Sequence, residues 1–578
     1  MCGIWTYISK NKKNYYDYFT KISHRGPDAS SYMTLKDVNI GFHRLSIINK
    51  KFNGMQPFFD NNMVFLCNGE IYNYKILMEK YNIVNCVNDC MCIFELYKKL
   101  DFNDFINVMN KEVIGEFAFI ILIFTVNDNG NDNGNDNGND NGNDNVNDND
   151  NDNDNDNDND NDNGNDNDND NDNNNDNELS KIIVSRDIFG VRPLYFSKNE
   201  ENEYIFSSEL KGIPKDFKDV KEFPCGSIVS IDYINNIEKC YDITNEIYQT
   251  KENSNYDLIK IKETLIEAVK IRLMADNPDD IGFYLSGGLD SSILCSIASK
   301  LIYPKKIKTF SIGFIGSTDL PYARKVAKFI NSDHKEIIIT EEEALEAIDD
   351  VIYATCTYDI TTIRASCGQY LLSKYIKEHT NIRIIINGDG SDEVLGGYIF
   401  NYYAPDKDKF HSSCLKYSQE IHMYDGRRLD RCLAYFGLEA RVPFLDVNYV
   451  KTIWSIPSNM RMPSYNNCEK FLLRQVFNDE TYLPQDCLFR KKEAFSDGIS
   501  SKDKSWFSII NSKMNSISDI DYNNNNDGCP SKEAYYYKNK FIEYFGKDRL
   551  NIIPHYWQPD FINNNVYVDP SARVLNVY

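Results

Sequence analysis

The chain has 578 residues, 63 Lys+Arg against 87 Asp+Glu, and a formal net charge of −24. Residues 127–177 are almost pure Asn, Asp and Gly, and removing their 18 aspartates takes the balance from −24 to −6. The acidity belongs to that tract, and what remains lacks the basic footprint of a nucleic-acid binder.

The longest apolar stretch, Phe117 to Phe124, has strand length, so no segment reads as a membrane span. The opening Met-Cys-Gly-Ile-Trp-Thr-Tyr lacks the basic-then-apolar plan of a secretory signal. Fifteen cysteines, scattered without paired spacing in so long a chain, predict free thiols in a reducing, cytoplasmic setting. Cys86, Cys90 and Cys92 lie close together, but no second Cys or His group stands at metal-ligand spacing.

Removal of Met1 before a small side chain exposes Cys2 as the N-terminus. An α-amino group, with pKa about 7.7–8.0, serves as general base to its own thiol near neutral pH. The thiolate is the nucleophile that covalent amide hydrolysis requires. Three blocks follow: His24-Arg-Gly-Pro-Asp28, Gly41-Phe-His-Arg-Leu-Ser-Ile47 and Cys67-Asn-Gly-Glu-Ile-Tyr-Asn73. Arg44 offers a bidentate grip on a carboxylate. The Asn68 side-chain N–H and the Gly69 backbone N–H offer an oxyanion hole. Asn-Gly is also a favoured hairpin turn, and both roles are compatible with the sequence.

Glu116 to Phe124 reads as a fully buried strand, and Lys181 to Asp187, followed by Phe189 to Phe196, as its partner in a hairpin. The Asn/Asp/Gly tract before them cannot bury apolar surface, so it reads as a disordered insert at a hairpin tip inside one domain. A polar stretch without period over 245–256 predicts the boundary between domains. Beyond it, Leu258, Ile261, Leu265, Val269 and Leu273 follow helical period. Strands and helices then alternate, the pattern of a parallel sheet covered by helices.

Ile281 to Leu285 is a short strand that runs into Ser286-Gly-Gly-Leu-Asp-Ser-Ser292 and then into helical spacing. Such a turn presents backbone N–H groups at the positive end of a helix, a nest for phosphate oxygens. Gly287 and Gly288 permit close backbone approach. Ser286, Ser291 and Ser292 add hydroxyl donors, and Asp290 can hold a phosphate-bound Mg²⁺. The Lys of a Walker loop is absent. Further blocks are Thr309 to Phe314, Asn387-Gly-Asp-Gly-Ser-Asp-Glu393, Gly437 to Asp446 and Arg490 to Gly498.

Residues 2–245 resemble a class II glutamine amidotransferase domain, whose fold is the N-terminal-nucleophile αββα sandwich. The likeness implies Cys2 as nucleophile. It implies Arg44, Leu45, Ser46, Ile47, Ile48, Asn68, Gly69 and Glu70 as glutamine-binding, and Asp89 as partner of the substrate ammonium. Met91 stands where an acidic residue is usual. The Ser286–Ser292 string resembles the pyrophosphate loop of ATP pyrophosphatases, which use a parallel sheet with helices on both faces. With the later blocks, residues 256–578, to Asp569-Pro-Ser-Ala-Arg573, resemble the synthetase domain of the glutamine-hydrolysing asparagine synthetases of eukaryotic type.

That resemblance implies nucleotide contacts from Leu285, Ile312, Asn387 and Gly388. It implies that Ser286, Gly287, Gly288, Asp290, Ser291, Asp392 and Lys492 hold ATP or pyrophosphate, with Asp290 and Asp392 on Mg²⁺. Asp389 stands where the family commonly has Glu, the residue tied to forming the β-aspartyl adenylate and to ammonia attack. Asn387 stands where Ser is usual. The implied activity is amidation of L-aspartate with ammonia from L-glutamine, at the expense of ATP, giving L-asparagine, L-glutamate, AMP and pyrophosphate. No nucleic-acid or membrane partner is implied, and a homodimer is compatible. The rivals are a synthetase of like plan acting on another acid, and a silent interaction protein using the tract.

Overall fold

The computed structural model describes residues 1–11, 13–125, 178–517, 522–523 and 528–562. The insert reading of 127–177 and the Asp569–Arg573 block lie outside them.

Two six-stranded antiparallel sheets come first. One runs β10 (Lys221–Glu222), β8 (Tyr195–Lys198), β9 (Tyr204–Ser207), β1 (Gly3–Ile8), β3 (Val38–Arg44), β2 (Ala29–Leu35). The other runs β12 (Ile237–Asp242), β11 (Ser227–Asp232), β7 (Leu179–Arg186), β6 (Gly115–Phe124), β5 (Met63–Ile71), β4 (Phe58–Asp60). Side chains along a strand alternate between faces. Ile4 and Ile8 of β1 therefore meet Val64 and Leu66 of β5 and Ile120 and Leu122 of β6 in the core between the sheets. Trp5 and Tyr7 turn the other way, onto Phe19 and Phe217. On the far face of the second sheet, Phe65, Phe119 and Ile121 pack against Phe94, Leu96 and Phe105 of the helices Met91–Lys99 and Phe102–Lys111. This is the expected αββα sandwich.

β6 and β7 pair from Ala118↔Arg186 to Phe124↔Leu179, and Thr125 N donates to Glu178 O at 2.7 Å. The residues flanking 127–177 thus lie side by side. The hairpin-turn reading of Asn68-Gly69 is overturned. Both sit within the nine-residue β5, opposite Ala118 and Phe117 of β6. A Cβ on Gly69 would lie 2.5 Å from Glu116 O, so close strand approach asks for glycine there.

The third sheet is parallel throughout, in the order β15 (Asp333–Ile338), β14 (Lys308–Gly313), β13 (Ile281–Tyr284), β16 (Ile384–Ile386), β17 (Glu439–Arg441). From β13 the chain proceeds outward to β14 and β15, then returns to β16 on the opposite side. The crevice beyond the carboxyl ends of β13 and β16 is thus a topological switch point, where open α/β sheets bind ligands. The predicted helix is present as Leu258–Ile271, capped by the Asp257 side chain on Ile259 N.

Candidate functional site

A cavity of about 460 Å³ opens at that switch point. Leu285, Ser286, Gly288, Asp290 and Ser291 enter it from the loop after β13, and Ile312 from β14. Asn387, Gly388, Asp389 and Asp392 enter from the loop after β16, and Lys492 from the far wall. Of the residues expected at this site Gly287 and Ser292 do not line it, Ser292 being fully buried behind the loop. The φ of Gly287 is +79°, and a Cβ there would lie 2.4 Å from Ala323 N, so it shapes the turn.

The charges converge on a residue that no motif announces. Lys470, its side chain 1% exposed, places Nζ 2.7 Å from Asp290 and 2.6 Å from Asp392. It sits at φ +53°, a strained conformation for lysine and of the kind that gathers at functional sites. Lys492 adds a second ion pair to Asp392 at 2.6 Å. Burial works against the Asp392 charge, but the two lysines outweigh it and hold the carboxyl well below the usual range. Two carboxylates turned to one ammonium, together with phosphate oxygens, are a donor set whose hard oxygens suit Mg²⁺.

Asp389 accepts a hydrogen bond from Arg428 at 3.0 Å, while its second oxygen is buried without a partner. Burial lifts its carboxyl to about 6, Arg428 opposing and Asp425 and Asp392 assisting. Arg428, on the helix Asp425–Ala434, also went unannounced in sequence.

The second cluster gathers where β1 begins. Cys2 Sγ faces Leu45 O at 3.8 Å. With Met1 in place, burial pushes the Cys2 thiol up to about 11 and the Met1 amine down to about 6. Asn68 is 1% exposed, and neither its Nδ2 nor its Oδ1 has a hydrogen-bond partner. An orphaned buried amide costs about 1–3 kcal/mol, so the Asn68 side chain fits a group that would complete its bonding. Asp89 accepts from Ile71 N at 2.8 Å and is raised to about 6 by burial first, with Glu439 adding to it. The Arg44 guanidinium donates to the carbonyls of Asn49 and, at 2.8 Å, Lys51. Leu45 and Ile47 are buried, Ile48 half-buried, and Ser46 N is held by Asp28 at 2.7 Å. The Glu70 carboxylate turns away, to Arg441 at 3.3 Å. Met91 accepts from Val87 N through its sulfur at 3.5 Å.

A buried seam joins the clusters. Arg272 bridges Glu116 at 3.1 Å and Asp446 at 3.0 Å. Arg192 approaches Glu116 at 3.2 Å. Arg441 pairs with Glu439 at 2.8 Å as well as with Glu70, and its carbonyl accepts from Asn387 N at 3.1 Å. One residue therefore ties the strand that carries Asn68 to the loop that carries Asp389.

Comparison with known proteins adds three findings. The profile described as asparagine synthase matches residues 260–407 and 400–550, and that described as glutamine amidotransferase domain matches 1–126 and 175–252. A probable asparagine synthetase [glutamine-hydrolyzing] of Acanthamoeba polyphaga mimivirus is 36% identical over 613 residues, covering 100% of both chains. The asparagine synthetases [glutamine-hydrolyzing] of Gallus gallus and Homo sapiens are each 33% identical, over 620 and 623 residues, covering 100% of this chain and 99% of theirs. Among the described residues no helix is long and apolar enough to cross a membrane.

Proposed function

The chain belongs to the glutamine-hydrolysing asparagine synthetase family, and on that premise we propose how its own residues divide the work. It is a carbon–nitrogen ligase that makes L-asparagine from L-aspartate with glutamine as nitrogen donor and ATP as co-substrate. We assign residues 2–245 to glutamine hydrolysis and 256–578 to synthesis, in a reducing cytoplasmic setting that suits the free cysteines.

Once Met1 is removed, Cys2 attacks the glutamine amide carbon and Asn68 and Gly69 receive the oxyanion. A thioester forms, and water releases glutamate. Asp89 holds the substrate ammonium and Arg44, with the backbone through Ile48, its carboxylate. Glu70 contributes through its backbone, since its carboxylate is committed to Arg441. Ammonia then passes inside the molecule, which keeps it from being protonated in bulk water.

In the second site the loop from Ser286 to Ser291 cradles pyrophosphate, and Leu285, Ile312, Asn387 and Gly388 hold the nucleotide. Lys470 and Lys492 neutralise charge that builds on the leaving pyrophosphate. Asp290 and Asp392 would hold Mg²⁺, which supplies further charge neutralisation when bound. Aspartate attacks the α-phosphate to give β-aspartyl-AMP, and ammonia displaces AMP. Asp389, with one oxygen free, accepts a proton from the attacking ammonia. A homodimer is compatible with these roles.

The observation that carries the reading is the convergence of the two loops, Asp389, Lys470 and Lys492 on one cavity. Product analysis with ATP, aspartate and glutamine tests it. Asparagine, glutamate, AMP and pyrophosphate in equal amounts are expected, and ADP with orthophosphate would contradict it.

A further inference from the structure

Arg25, from the His24-Arg-Gly-Pro-Asp28 block, lies where the two halves meet, at the end of the short helix Ser23–Arg25. Its side chain is fully buried, and every arm of the guanidinium is engaged. Nε donates to Cys2 O at 3.0 Å. Nη1 donates to Asp430 Oδ2 at 2.9 Å and to Glu209 Oε1 at 2.7 Å, and Nη2 to Asp430 Oδ1 at 3.2 Å. Nη2 also reaches the Met1 sulfur at 3.6 Å, a contact that ends when Met1 is removed.

Asp430 comes from the other half, on the helix Asp425–Ala434, and is 1% exposed. Its two oxygens meet the two terminal nitrogens of the fork, which fixes the guanidinium plane and leaves Nε for the Cys2 carbonyl. Glu209 gives the fork one oxygen and is shared with Lys211 at 2.8 Å and His24 at 3.2 Å. Burial opposes both charges, yet Asp430 and Glu209 raise Arg25, while Arg25 and Arg431 lower Asp430.

The ladder of β1 starts at Gly3, so the Cys2 carbonyl is held by a side chain rather than by a neighbouring strand. A nucleophile on a terminal residue keeps its angle of attack only while that residue's backbone is fixed. Arg428, two residues before Asp430, leaves the helix about 200° round and turns to Asp389. One helix thus faces both sites from opposite sides.

We propose that Asp430 is a positioning residue for glutamine hydrolysis, supplied by the synthetase half. Through Arg25 it holds the Cys2 backbone at the angle from which the sulfur attacks. This rests on the reading of Cys2 as nucleophile.

The test follows the full-length protein through two assays, glutamate released from glutamine and asparagine formed from an ammonium salt with ATP and aspartate. Asp430→Asn keeps the shape and removes the charge that fixes the fork. Asp430→Glu keeps the buried charge and shifts the fork by one methylene, which guards against a variant that fails to fold. Misplacing reacting atoms by about 1 Å costs about 10²-fold, so glutaminase kcat should fall about 10²-fold in Asp430→Asn and about tenfold in Asp430→Glu. Glutamine KM and ammonia-dependent synthesis should stay within about threefold of wild type, since neither uses the angle of Cys2. A prop that merely held the halves together would lower both activities in parallel. That outcome in Asp430→Glu, or a glutaminase kcat within about threefold of wild type in either variant, would overturn the proposal. Cys2→Ala separates the proposal from the reading beneath it. Glutaminase activity lost in Cys2→Ala but kept in Asp430→Asn sinks the proposal alone, and activity kept in Cys2→Ala sinks the reading of Cys2.

Discussion

At Asp389 a single carboxylate shows how surroundings set chemistry. Burial raises it to about 6 from the ordinary 3.8, and Arg428 prevents a larger rise. A proton acceptor works only when ionised, so ammonia-dependent synthesis at constant free NH₃ should fall as pH drops through about 6. The linked stability runs the other way. The folded chain keeps this proton between 3.8 and about 6, so its contribution is complete below 3.8 and is lost as pH rises through about 6. Asp389→Asn should lower the rate by about 10²–10⁴-fold, with Asp389→Glu recovering most of it, as measured by asparagine formed from an ammonium salt. Equal rates for all three would remove Asp389 from the chemistry. The Ser286–Ser292 loop was legible because glycines and small polar residues after an apolar strand imply a phosphate nest, whereas the loop of Asp389 took its role only from the family resemblance. Lys470 was legible in neither way. It is an ordinary lysine before an apolar stretch, and its role arises from carboxylates brought to it across 180 and 78 residues of chain.

Among elements, β5 and β17 matter most, because one guanidinium spans them. Arg441 is fully buried and its partners Glu70 and Glu439 belong to different halves. Breaking a buried pair leaves uncompensated charge, so Arg441→Met should cost about 3–5 kcal/mol, read from urea denaturation of the full chain. A cost under about 1 kcal/mol would mean that the seam relaxes around the missing charge. Strand lengths were readable from apolar runs, as for Gly115–Phe124, and the parallel sheet from alternation with helices. Strand order was not, since β1 finds β9 about 200 residues away. Nor was the conformation of Asn68-Gly69, whose local turn preference yields to cross-strand pairing along β5.

At the scale of the whole molecule, the proposed assignment puts the two chemistries on separate residues and separate sheets. Loop length costs little in closure free energy, and the strands flanking 127–177 meet at Thr125 and Glu178. Replacing 127–177 by a short Asn-Gly turn should therefore leave glutaminase and synthetase rates within about twofold of wild type, as each assay would show. A deletion protein that folds but cannot hydrolyse glutamine would assign the tract a role. The central claim is that glutamine chemistry depends on Cys2 and adenylate chemistry does not. Cys2→Ala keeps a terminal amine and removes only the sulfur, which eliminates the covalent route. Asparagine formed by wild type and variant at matched concentration, from glutamine and from an ammonium salt at raised pH, tests this directly. The variant should make none from glutamine and near wild-type amounts from ammonia; asparagine from glutamine, or failure with ammonia as well, would contradict the account.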